Sequence, residues 1–122
     1  MRVLIVQSKT ELGELWKRHI EGIGAEVVLT VGQTDAARVL LSSEVHVILL
    51  DLVLEEGSAL AVADLAAYRW PDARVIFVTS TRIFSDGSIF EICSNACAHV
   101  QSSTPPEDLA AMVEHFGRPA AR

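Results

Sequence analysis

Five short apolar runs punctuate the chain, each followed by a polar turn and a stretch with helical spacing. Val3 to Val6 is apolar throughout, and Val45-His46-Val47-Ile48-Leu49-Leu50-Asp51 is rich in β-branched residues and ends on an acid. Runs of this length, flanked by turns, read as strands buried on both faces, as in a parallel sheet. The same reading predicts strands at 25–31, 74–79 and 97–101. Between them, Leu12, Leu15, Trp16, His19, Ile20 and Ile23 recur at helical spacing, with Thr10 as the expected N-cap and Gly22 and Gly24 as the stop. Further helices are expected over 33–41, over 59–68 behind a Ser58 cap, over 85–94, and over 107–116 behind Pro105-Pro106.

Strand and helix alternate five times, which implies a (βα)5 unit with helices on both faces of a parallel sheet. The flavodoxin-like strand order 2-1-3-4-5 is its natural closure, giving an α/β doubly wound fold. Residues 1–117 read as one domain and 118–122 as a tail or the start of a linker. In such sheets chemistry gathers beyond the carboxyl ends of the strands. Asp51 stands there, which makes it the first candidate for a functional residue.

Composition narrows the classes. The chain has 122 residues, half of them hydrophobic, and a formal charge of -6, with Lys and Arg scattered. A nucleic-acid partner is therefore not expected. No apolar run approaches the roughly 20 residues of a membrane span, so a soluble cytoplasmic protein is the expectation. Cys93 and Cys97 are four apart, without a second ligand pair nearby, and read as packing thiols. The loop 7–10 has no Gly-rich phosphate cradle, which speaks against a flavodoxin-like enzyme or small-ligand protein, though that alternative stays open.

The stretch from Val47 to Ser58, with Asp51 closing its strand and Gly57 following, resembles the phosphoacceptor segment of two-component response-regulator receiver domains. Val75-Ile76-Phe77-Val78-Thr79-Ser80 is similar to their fourth strand, which ends on a switch Thr or Ser. Pro106-Glu107-Asp108-Leu109 is similar to the start of their last helix. The resemblance implies that Asp51 takes a phosphoryl group from a phosphohistidine, beside a Mg²⁺ ion held by two further acids. It also implies a lysine after the fifth strand and an aromatic switch residue within it.

Several positions depart from that pattern. Gln7 and Ser8 stand where the acid pair is implied, Ser102 where the lysine is implied, and His99 at the aromatic switch position beside the switch-like Thr79. Mg²⁺ would keep only Asp51 and the Val53 carbonyl, unless Glu11, Glu55 or Glu56 moved in, so no metal or other cofactor is expected. A buried Asp51 needs compensation, and Lys9 and Arg82 are the candidate counter-charges, with Thr79, Ser102 or backbone donors as the alternative. The resulting expectation is an atypical receiver, not an enzyme, acting mainly as a protein–protein interaction module with impaired Mg²⁺-dependent phosphorylation. The alternative is a working phosphoacceptor at Asp51. Partners would be signalling proteins (a histidine kinase, phosphotransfer protein or effector). Ile83, Phe84, Ile89 and Phe90 read either as core or as an exposed apolar patch, and the resemblance implies that such a patch would serve partners or a homodimer through the face of the fourth helix, fifth strand and last helix.

Overall fold

The computed structural model describes residues 1–79 and 95–117. Within them lie β1 (Arg2–Val6), α1 (Thr10–Glu21), β2 (Glu26–Thr30), α2 (Gln33–Ser42), β3 (Val47–Asp51), α3 (Ala59–Arg69), β4 (Arg74–Thr79), β5 (Ala96–Gln101) and α4 (Pro106–Gly117). All strand pairs are parallel and the order is β2-β1-β3-β4-β5, as the alternation predicts. The helix expected over 85–94, with Arg82, Ile83, Phe84, Ile89, Phe90 and Cys93, and the tail 118–122 lie outside the described residues.

Side-chain alternation along the strands divides the core in two. Leu4, Val6, Ile48, Leu50, Val75 and Phe77 face α2 and α3, where Leu40, Val62, Ala63 and Ala66 meet them. Val3, Ile5, Val47, Leu49, Ile76 and Val78 face Trp16 and Ile20 of α1 and Leu109 and Val113 of α4. The central strands are therefore apolar at consecutive positions, because both of their faces are covered. Trp70 anchors the end of α3 by donating its indole N–H to the Leu40 carbonyl at 2.8 Å.

The helix ends hold one correction. Ser58 caps α3 as expected, its hydroxyl accepting the Ala61 N–H at 3.3 Å. Thr10 does not cap α1. It is the first helical residue, and Lys9 precedes it in extended conformation with no side-chain cap bond. The reason is that the Lys9 carbonyl already takes the first helical bond, from the Gly13 N–H at 3.0 Å.

Candidate functional site

Strands β1 and β3 run in register from Val3↔Val47 to Val6↔Leu50, so one step further sets Gln7 against Asp51. Alternation puts both side chains on the same face as Ile5 and Leu49. The contact that results is the centre of the site. Gln7, 1% exposed, donates from Nε2 to Asp51 Oδ2 at 2.7 Å. The other Asp51 oxygen, Oδ1, accepts the Val53 backbone N–H at 2.8 Å, closing a local turn. Gln7 Oε1 accepts the Lys9 backbone N–H at 2.9 Å. Chemistry fixes the amide's orientation: a backbone N–H can only donate and an ionised carboxylate can only accept.

Asp51 is buried at 9% exposure, where an unpaired carboxylate would be costly. Among the described residues, its compensation comes from two N–H dipoles. The ion pairs among the described residues are Arg2–Glu26 and Arg38–Asp35, so Lys9 does not supply the counter-charge. Only its backbone takes part. The Gln7 amide, tethered and already buried, meets the carboxylate without desolvating an ammonium. Arg82, the other candidate, lies outside the described residues.

Ser8 ties the neighbouring loops together. Its hydroxyl donates to the Val31 carbonyl at 2.7 Å and accepts the Glu55 N–H at 3.0 Å, joining the chain after β1, β2 and β3. Glu56 is also committed, its carboxylate accepting the Thr34 N–H at 2.9 Å and the Thr34 hydroxyl at 3.0 Å at the start of α2. Thr79 is buried at the end of β4, and its carbonyl accepts the Ser102 N–H at 2.9 Å. Those two residues are adjacent, and the bonds of the Asp51 carboxylate among the described residues go to Gln7 and Val53. His99 is half-buried in β5 opposite Phe77.

The Mg²⁺ ion that the resemblance implies does not fit this set. A hard cation collects carboxylate, carbonyl and water oxygens. Here Gln7 presents N–H groups to Asp51, its own oxygen holds Lys9, and the Ser8 hydroxyl is spent on two backbone groups. Among the described residues, no three His, Cys, Asp or Glu side chains are placed to hold a metal ion.

Sequence reasoning located Gln7, Ser8 and Asp51 but missed the Gln7–Asp51 bond and the role of Glu56. The first was reachable by extending the β1–β3 register with side-chain alternation. The second had no signal in the sequence, because Glu56 caps a helix that begins more than 20 residues earlier.

No family model matches the sequence, and no curated protein matches it. Solved structures do match in fold. A CheY-like response-regulator receiver domain from Methanospirillum hungatei superposes with a TM-score of 0.85 at 22% identity, covering 95% of this chain and 92% of that one. The signal receiver domain of a putative LuxO repressor protein from Vibrio parahaemolyticus gives 0.84 at 21%, covering 95% and 88%. The non-phosphorylated HemR receiver domain from Leptospira biflexa gives 0.84 at 19%, covering 99% and 97%. The fold of this chain is that of response-regulator receiver domains.

Proposed function

We propose that this chain is a receiver domain of two-component phosphorelay signalling that works mainly as a protein–protein interaction module, with impaired Mg²⁺-dependent phosphorylation. The observation that carries this reading is the 2.7 Å bond from Gln7 Nε2 to Asp51 Oδ2. Phosphoryl transfer spreads negative charge over equatorial oxygens, and a cation beside the acceptor normally offsets it. Here a neutral amide occupies that side of the carboxylate, and Ser102 stands at the lysine position. The partners on this reading are a histidine kinase, a phosphotransfer protein or an effector. The role is recognition, not catalysis, and its place is the cytoplasm. No described helix is long and apolar enough to cross a membrane.

The test uses the intact protein with acetyl phosphate, or with beryllium fluoride as a phosphoryl mimic, each with and without Mg²⁺. Intact mass and Trp fluorescence are followed. The expected result is no phosphoryl adduct and no metal-dependent fluorescence change. A Mg²⁺-dependent adduct that disappears in Asp51→Asn overturns the proposal in favour of a working phosphoacceptor.

A further inference from the structure

On one face of the sheet, α1 and α4 lie side by side and leave a groove of about 530 Å³ between them. Its floor is apolar, formed by Leu15 from α1, Ile23 from the turn that follows it, and Ala110 and Ala111 from α4. Gly22 and the two alanines keep the helix crests low, so another helix can approach closely. The walls differ in sign. Arg18 rises from α1, and Glu107 and Glu114 rise from α4. Arg18 and Glu107 are exposed, and neither belongs to the ion pairs found among the described residues.

We propose that this groove is the interface of a homodimer, its occupant being a second copy of this chain. A closed two-fold interface must be self-complementary, each patch meeting itself in reverse. A two-fold axis running along the groove lays α1 of one copy on α4 of the other. Each basic wall then meets an acidic wall, twice. An axis across the helices would set like charges together and is disfavoured. A foreign acidic helix would satisfy Arg18 but oppose Glu107, and a basic one would do the reverse. A second copy carries both signs at matched spacing. The formal charge of -6 on each copy opposes association at low salt, and screening at about 0.15 M ionic strength relieves it. The proposal does not rest on the chemistry at Asp51.

Sedimentation equilibrium of the full chain, from low micromolar to near-millimolar concentration at about 0.15 M ionic strength, tests it. The wild type is expected to show a concentration-dependent monomer–dimer equilibrium. Arg18→Glu alone, and Glu107→Lys with Glu114→Lys, are each expected to raise the dimer Kd by about tenfold or more, because like charges then face one another. An equimolar mixture of the two variants should regain dimerisation, since every contact again pairs opposite signs. Recovery in the mixture also shows that both variants fold. Ala111→Gln, at an exposed helical position, adds bulk to the groove without changing charge and should weaken association too. A wild type that stays monomeric throughout overturns the proposal. So do variants that dimerise as the wild type does, or folded variants whose mixture fails to recover.

Discussion

At the scale of residues, both Asp51 oxygens accept N–H groups, and one of those donors is a buried amide with no charge of its own. Replacing Gln7 by Asp removes a bond to a charged group and sets two carboxylates together. The expected cost without divalent metal is about 2 kcal/mol, or a fall in Tm of roughly 5–10 °C. Millimolar Mg²⁺ should recover part of that loss in Gln7→Asp and leave the wild-type Tm unchanged, which thermal denaturation by circular dichroism will read. Cys97 offers a second measurement. Burial pushes its thiol up, against the lowering effect of the Arg74 charge. The folded chain therefore keeps this proton at pH values where the unfolded chain releases it, so stability falls as pH rises through the usual thiol range. In a Cys93→Ser background, iodoacetamide should modify Cys97 more slowly in the native protein than in urea at mildly alkaline pH. The position of Asp51 was legible because an apolar run stops on an acid. Its partner was not, since Gln7 lies 44 residues away and only strand register brings the two together. Lys9 misled for a related reason: closeness to Gln7 along the chain does not carry a flexible, well-hydrated ammonium into a buried pocket.

At the scale of elements, the start of α2 and the β3–α3 loop hold one another. Glu56 caps Thr34, the Glu56 carbonyl accepts the Gln33 N–H at 3.0 Å, and Gln33 Oε1 accepts the Ser58 N–H at 2.8 Å. Gly57 sits inside this exchange at φ +84°, where a Cβ would collide with the Gln33 side chain. Gly24, at φ +91°, has nothing within 4 Å of such a Cβ. Both positions favour glycine, but only one is also crowded. Gly24→Ala should cost about 1–2 kcal/mol from backbone conformation alone. Gly57→Ala should cost more, because the Gln33–Ser58 bond is lost as well, and urea midpoints of the two variants will separate the cases. The Ser58 cap was readable from its place before an apolar helix. The Glu56 cap was not, because it comes from a different element. Thr10 fits the preferred residue types for a cap, yet the chain turns helical one residue earlier than that preference suggests.

At the scale of the molecule, one sheet separates two cores that must form together. Phe77 is fully buried at the centre of the α2–α3 side. Phe77→Ala should cost about 3–5 kcal/mol, a large part of the roughly 5–15 kcal/mol that holds a domain folded. A strongly lowered urea midpoint, with loss of structure on both sides of the sheet by near-UV circular dichroism, is the expected outcome. This architecture was largely legible, since unbroken apolar strands demand cover on two faces and crossover handedness leaves few strand orders. The groove between α1 and α4 was not legible, because its depth depends on how closely two helices distant in sequence approach. The Gln7 amide also has a consequence for the molecule as a whole. A bound ion obeys mass action: chelators remove it, competing ions displace it, and its occupancy follows supply. A donor covalently tethered to β1 has no free concentration to deplete. On the function proposed above, the geometry of the strand ends around Asp51 is thereby set once, when the chain folds, whatever the metal content of its surroundings.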